Sequence, residues 1–122
     1  MKIKMMIVDD EIELGAIVHQ YFEECGAEIV RFQNPIQAIQ YFKQNKNSVD
    51  FVITDYNMPS LTGLEMMRVI HASRMVPYVL LSGNLGNIED DYSLKQIKRV
   101  GKPFGVEAMQ ELVNLVGVKL AS

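Results

Sequence analysis

Short apolar runs alternate along the chain with longer segments whose apolar residues recur every three or four positions. Several of the short runs are apolar throughout, which is typical of parallel strands covered on both faces. The runs predict five strands: Ile3–Val8, Glu28–Phe32, Phe51–Thr54, Val76–Ser82 and Ile97–Gly101. Strand and helix in regular alternation predict a doubly wound α/β fold, a five-stranded parallel sheet with helices on both faces.

Helical stripes occupy the intervals between the predicted strands. The first stripe covers Leu14–Cys25 and precedes Gly26, a residue type that often ends a helix. Asn34 and Pro35 predict the start of the second helix, because asparagine caps a helix and proline fits its first turn. The remaining stripes lie at Leu64–Ile70, Ile88–Lys95 and Val106–Leu120.

Length and composition limit the class of protein. A chain of 122 residues fits one compact domain, which we assign to residues 1–122. The net charge of −3 argues against a general nucleic-acid binder, and no apolar run is long enough to span a membrane. The single cysteine, Cys25, forms no internal disulfide, so a reducing, cytoplasmic setting is expected. Cys25 is predicted as a small core residue.

Acidic residues follow two of the predicted strands. Asp9 and Asp10 come directly after the first strand, and Asp55 comes after the third. Because parallel strands end at the same edge of a sheet, we expect the three carboxylates to lie together. Like charges at close range raise one another's pKa, and a cation relieves this repulsion. Oxygen ligands of this kind suit Mg²⁺, which often bridges to a phosphate.

Two further strand ends carry residues suited to phosphate chemistry. Asp55 can act as a nucleophile toward phosphorus and form an acyl phosphate. Ser82, at the end of the fourth run, offers a hydroxyl donor, and Lys102, after the fifth, offers an ammonium group. Nothing here looks like a strong general base for expelling the phosphoryl group, so the pattern favours a persistent intermediate, which suits a signal.

Motifs at the predicted strand ends occur in a specific order: Asp9-Asp10, Asp55, Met58-Pro59 with Gly63, Ser82-Gly83 and Lys102-Pro103-Phe104. Through these motifs the whole chain resembles the CheY-like receiver domains of two-component response regulators. The resemblance implies a flavodoxin-like (βα)5 fold. It also implies a phosphorylation-gated signalling domain, which is not an enzyme beyond its own phosphoryl transfer and dephosphorylation.

The resemblance also implies roles for the site residues. Asp55 is the expected phosphoacceptor, and Asp10 is an expected direct ligand of Mg²⁺. Asp9 is expected to act on the metal through water, and the backbone carbonyl of Asn57 completes the protein ligands. The remaining expected contacts with the phosphoryl group come from Ser82 and Lys102.

Partners follow from the same resemblance. The expected phosphodonor is a sensor histidine kinase or a histidine phosphotransfer protein, and the expected recipient of the signal is a downstream protein target or output domain. Direct contact with nucleic acid or membrane is not expected. Arg99 departs from the family, which usually carries Tyr or Phe three residues before the lysine, and the stretch from Ser82 to Lys102 is shorter than is typical.

Three alternative functions remain open at this point. A phosphatase or phosphotransferase that turns over at Asp55 is one, although the related haloacid-dehalogenase enzymes carry Asp-x-Asp after the first strand. A flavodoxin-type binding module is the second, but Asp9-Asp10-Glu11 in the first loop repels phosphate unless a metal intervenes. The third is a degenerate receiver that no longer takes phosphate, which Arg99 makes conceivable for switching.

Overall fold

A parallel sheet forms the centre of the molecule. The computed structural model describes residues 3–83, 96–101 and 106–121, and in the last two segments it describes side chains only from 107 to 115. The strands are β1 Lys4–Val8, β2 Glu28–Phe32, β3 Phe51–Asp55, β4 Tyr78–Ser82 and β5 Gln96–Gly101. Each neighbouring pair is parallel, in the order β2-β1-β3-β4-β5. The non-sequential order places β1 inside the sheet.

Helices cover both faces of the sheet, as the sequence predicted. They are α1 Ile12–Glu24, α2 Pro35–Gln44, α3 Gly63–His71 and α4 Val106–Ala121. Side chains of α2 and α3 pack on one face, and those of α1 and α4 pack on the other. Among the described residues, no helix is both long and apolar enough to cross a bilayer. The helix predicted at Ile88–Lys95 lies outside the described residues.

The core consists of two apolar clusters, one on each side of the sheet. Successive residues of a strand point to opposite faces, so one strand supplies both clusters. In β3, Val52 belongs to the cluster under α2 and α3, whereas Ile53 belongs to the cluster under α1 and α4. All five residues of β3 are buried. The continuous apolar runs of the sequence are therefore explained by cover on both faces.

Capping contacts fix where two of the helices begin. The side chain of Asn34 accepts a hydrogen bond of 2.8 Å from the backbone N–H of Ile36, with Pro35 in the first turn, as predicted. Helix α3 begins with a reciprocal capping box between Thr62 and Glu65, which we did not predict. The signature was present in the sequence, because Thr-x-x-Glu ahead of an apolar stripe is typical of this motif.

Cys25 is exposed, so its predicted place in the core is wrong. The residue is the C-cap of α1 and precedes Gly26, whose φ of 92° takes the chain out of the helix. A positive φ of this kind is strained for residues with a Cβ, which explains the glycine. The apolar stripe of α1 therefore ends before Cys25, at the buried Phe22.

Candidate functional site

Three carboxylates meet at the carboxyl edge of the sheet. Val8 of β1 pairs with Thr54 of β3, so Asp9 and Asp55 each follow one member of this pair. Both aspartates are buried, each with a relative exposure of 4%. Their carboxylate oxygens and one from Glu11 all lie within 4.8 Å of one another. The structure thus brings together Asp9 and Asp55, as the sequence predicted.

Glu11 is the member of this cluster that the sequence analysis missed. It is the N-cap residue of α1, and its backbone N–H donates a hydrogen bond of 2.8 Å to Oδ1 of Asp9. This bond folds the loop so that Glu11 and Asp9 approach Asp55 together. Asp10, the predicted direct metal ligand, is exposed and is not a member of the clustered trio. The only hint in the sequence was that Glu11 extends the acidic run Asp9-Asp10.

Hydrogen bonds to backbone groups fix the end of β3 at Asp55. The hydroxyl of Thr54 donates to the carbonyl oxygen of Asp55 at 2.9 Å. The next residue, Tyr56, donates its N–H to the carbonyl of Leu81 and accepts from the N–H of Gly63, each at 2.8 Å. Strand β4 and the start of α3 therefore both bond to the residue after Asp55, which fixes the direction in which Asp55 leaves the sheet.

The loop after Asp55 contains a tight turn. The N–H of Leu61 donates to the carbonyl of Pro59 at 3.0 Å, and Ser60 between them has a φ of 76°. Few residues other than glycine adopt this left-handed conformation, so the turn carries local strain. Asn57, whose carbonyl was predicted to face the metal, is exposed at the start of this loop. The turn directs the chain from the site into α3.

Ser82 lies where the sequence predicted, at the end of β4, and is fully buried. It comes one residue after Leu81, the partner of Asp55 in the sheet. On its other side Ser82 pairs with Gly101, the last residue of β5. Lys102 follows Gly101 in the chain but lies outside the described residues, so its predicted role stays a prediction.

The donor set of the cluster is suited to a divalent cation. Asp9, Glu11 and Asp55 offer hard carboxylate oxygens, the ligand type that Mg²⁺ prefers. Two of the three groups are buried, and a buried carboxylate that carries charge is costly without a counter-charge. The residues present therefore fit the metal that the sequence predicted.

The parallel α/β sheet with this acidic cluster at its carboxyl edge is the arrangement that the resemblance to signalling receiver domains implied. A family model described as the response regulator receiver domain matches residues 5–114, so the chain belongs to that family. The resemblance drawn from the sequence motifs is confirmed. Receiver domains are signalling domains and not classical enzymes, which argues against the turnover phosphatase considered above.

Individual relatives agree with this assignment. The chain is 26% identical over 114 residues to sporulation initiation phosphotransferase F of Bacillus subtilis, covering 91% of this chain and 90% of that protein. It is 31% identical over 112 residues to the autoinducer 1 sensor kinase/phosphatase LuxN of Vibrio harveyi, covering 90% of this chain. The chain spans only 13% of the length of LuxN.

A solved structure confirms the fold. The crystal structure of a response regulator receiver domain protein from Clostridium thermocellum superimposes with a TM-score of 0.83. The match covers 98% of this chain and 94% of the other, at 24% sequence identity. The flavodoxin-like arrangement of parallel strands and helices is therefore shared between the two proteins.

Proposed function

We propose that this chain is a phosphorylation-gated receiver domain whose phosphoacceptor is Asp55. The observation that carries the proposal is the position of Asp55. Its buried carboxylate stands at the end of β3, within 4.8 Å of the carboxylate oxygens of Asp9 and Glu11. A bound cation would offset the repulsion within this acidic cluster. It would also reduce the repulsion between the Asp55 carboxylate and an incoming phosphoryl group.

The transfer step is a displacement at phosphorus. A carboxylate oxygen of Asp55 attacks the phosphorus of a phosphohistidine, the P–N bond breaks, and the imidazole leaves with the electron pair of that bond. The product is an acyl phosphate on Asp55. Positioning and neutralisation of the phosphoryl oxygens supply most of the catalysis in such reactions. The hydrogen bonds from the Thr54 hydroxyl and from the backbone of Tyr56 hold Asp55 in place and serve this positioning.

Mg²⁺ is the proposed cofactor. By family resemblance Asp10, Asp9, Asp55 and the carbonyl of Asn57 would hold it, and the described cluster adds Glu11 as a further oxygen donor. When bound, the metal neutralises negative charge on the carboxylates and on the phosphoryl oxygens. The residues themselves bring their carboxylates to one edge and keep Asp55 directed out of the sheet.

Ser82 and Lys102 are the proposed contacts of the transferred phosphoryl group. The hydroxyl of Ser82 would donate to one phosphoryl oxygen, and its place at the end of β4 supports that role. Lys102, directly after the last residue of β5, would bring an ammonium group to another. Among the residues that the structure describes, the groups clustered with Asp55 are carboxylates, which are weak bases, so the acyl phosphate would persist long enough to signal.

The proposed partners belong to two-component signalling in the cytoplasm. The donor is a sensor histidine kinase or a histidine phosphotransfer protein, and the recipient is a protein target or an output domain. The likeness to a protein named a phosphotransferase over most of its length supports a phosphotransfer role. We also propose that the signal passes to the partner through the surface near Arg99. At this position the chain carries arginine instead of the family's usual aromatic residue.

The proposal is tested by phosphorylation with a small acyl-phosphate donor. With Mg²⁺ present, intact-mass spectrometry should show the addition of one phosphoryl group, and chelation of the metal should prevent it. Asp55→Asn should abolish the addition. Asp50→Asn is a matched control, because Asp50 accepts a hydrogen bond from the backbone of Lys4 at the opposite end of the sheet. Equal labelling of Asp55→Asn and the unmodified protein would contradict the proposal.

A further inference from the structure

We propose that Arg31 positions the acidic loop Asp9-Asp10-Glu11 and so sets the affinity of the site for its cation. This inference rests on the proposed function, because it concerns the same cluster. Arg31 lies in β2, the strand at one edge of the sheet, and pairs with Ile7 of β1. Its side chain reaches the first turn of α1, the helix that begins directly after the acidic loop.

Two consecutive residues of β2 hold the acidic loop at both of its ends. The carbonyl of Phe32 accepts a hydrogen bond of 3.0 Å from the backbone N–H of Asp9. Nη2 of Arg31 donates a hydrogen bond of 3.2 Å to the carbonyl of Ile12. Asp9 and Ile12 bracket Asp10 and Glu11. The loop is therefore tied to the same short strand where it leaves β1 and where it enters α1.

A glycine in α1 makes room for the arginine. A Cβ built on Gly15 would lie 3.2 Å from Nη2, 3.6 Å from Nε and 3.7 Å from Cζ of Arg31. The guanidinium group thus lies close to the buried Gly15. The N–H of Gly15 also donates to the carbonyl of Glu11 at 3.0 Å. The pair Arg31 and Gly15 is therefore linked by direct contact to the residue that completes the carboxylate cluster.

Charge and position predict opposite effects when Arg31 is replaced. If Arg31 acted only through its charge, its removal would make the acidic site more negative and would strengthen the binding of Mg²⁺. If Arg31 holds the loop, its removal would loosen Asp9 and Glu11 and would weaken the binding. Residues that orient metal ligands commonly affect affinity by about tenfold or more. The sign of the change therefore distinguishes the two roles.

Replacing Arg31 is expected to change the stability of the fold less than it changes the affinity for Mg²⁺. The hydrogen bond from Arg31 is exposed, and exposed polar contacts contribute little to stability. Gly15→Ala provides a further test, because alanine favours a helix over glycine while its methyl group would push the guanidinium by a few tenths of an ångström. This variant should keep or raise the melting temperature and still weaken the binding of Mg²⁺. A purely structural role for Arg31 would not separate the two measurements.

The experiment measures the Mg²⁺ dissociation constant by titration, together with the melting temperature without metal. The variants are Arg31→Met, Arg31→Lys and Gly15→Ala. Lys46→Met is the matched control, because Lys46 is an exposed cation after α2 and its loss changes the net charge equally. We expect Arg31→Met to weaken binding by about tenfold. Arg31→Lys should also weaken it, because lysine keeps the charge but loses the planar group that lies on Gly15.

Hydrogen exchange gives an independent readout of the loop. In metal-free protein, the amides of residues 9–12 should exchange faster in Arg31→Met than in Lys46→Met. Tighter Mg²⁺ binding by Arg31→Met, or binding equal to that of the control, would overturn the positioning role. If the unmodified protein binds no Mg²⁺ and accepts no phosphoryl group, the proposed function fails. If it does both and the Arg31 variants match it, only this inference fails.

Discussion

The backbone of Gly63 lies directly against the carbonyl group of Asp55. A Cβ placed on Gly63 would lie 2.2 Å from that carbonyl oxygen and 3.2 Å from Cδ1 of Leu80. No side chain fits in this space unless the backbone moves. The first residue of α3 and the proposed phosphoacceptor therefore cannot shift independently of each other.

This contact predicts a large effect of Gly63→Ala. The methyl group would push α3 away from β3, and overpacking of this kind typically costs about 1–3 kcal/mol in the free energy of unfolding. Labelling of Asp55 by an acyl-phosphate donor should also slow. Gly83→Ala is the control, because a Cβ at Gly83 meets no atom of the described residues within 4 Å. Denaturant unfolding that gave equal stabilities for the two variants would contradict the packing argument.

The turn before α3 predicts a ranking of substitutions at Ser60. Its φ of 76° is strained for residues with a Cβ, most of all for β-branched ones. Ser60→Gly should therefore match or exceed the unmodified protein in stability, and Ser60→Val should lose about 1–2 kcal/mol. Chemical denaturation measures both. The reverse order would show that the turn rearranges when its sequence changes.

The capping box of α3 predicts a pH-dependent contribution from Glu65. The backbone N–H of Thr62 donates to its carboxylate at 2.9 Å and holds the pKa of Glu65 below its ordinary value. A lowered pKa in the folded state means that the stabilisation is complete above the unfolded-state pKa, and that it is lost as the pH falls through the folded-state pKa.

Glu65→Gln tests this contribution, because glutamine keeps the shape and loses the charge. The melting temperature of the unmodified protein should exceed that of the variant at neutral pH. The gap should close as the pH falls below about 4. A gap that stays constant over the whole range would mean that the charge of Glu65 is irrelevant to the cap.

Replacing Asp10 and replacing Glu11 should have different effects on the stabilisation by Mg²⁺. Mg²⁺ that binds only the folded chain stabilises it, by about 2.7 kcal/mol at one hundred times the dissociation constant. By family resemblance, Asp10→Ala should abolish this rise in melting temperature. Glu11→Ala should only reduce it, because Glu11 is exposed although its carboxylate lies in the cluster. A rise that survives Asp10→Ala and vanishes in Glu11→Ala would identify Glu11 as the main protein ligand.

Strands β1, β3 and β4 could be read from the sequence because nearly all of their residues are buried, which requires cover on both faces. The bounds of β2 agree at both ends, and β3 extends one residue further, to Asp55. Strand β4 begins at Tyr78, two residues later than predicted. The apolar run continues back to Val76, but Pro77 has no N–H to donate to a neighbouring strand. Hydrophobicity alone could not locate that boundary.

The candidate site was predicted less completely than the strands, because part of it depends on the conformation of a loop. Asp9, Asp55 and Ser82 follow from strand ends, because the carboxyl ends of parallel strands converge. Glu11 joins the cluster only through its N–H bond to Asp9, which depends on the conformation of a loop. The contact of Arg31 with Gly15 joins two distant segments, and a single sequence carries no signal for such a pair.

The two apolar clusters on opposite sides of the sheet also bear on how this chain tolerates sequence change. Ile70 belongs to one cluster and Val18 to the other, with the sheet between them. Substitutions that share no partner usually add within about 0.5 kcal/mol. Ile70→Val and Val18→Ala should therefore destabilise independently, and the double variant should show the sum. Substitutions on one face of the sheet can then be compensated on that same face. The surface sequences supported by α1 and by α3 can therefore change independently of each other.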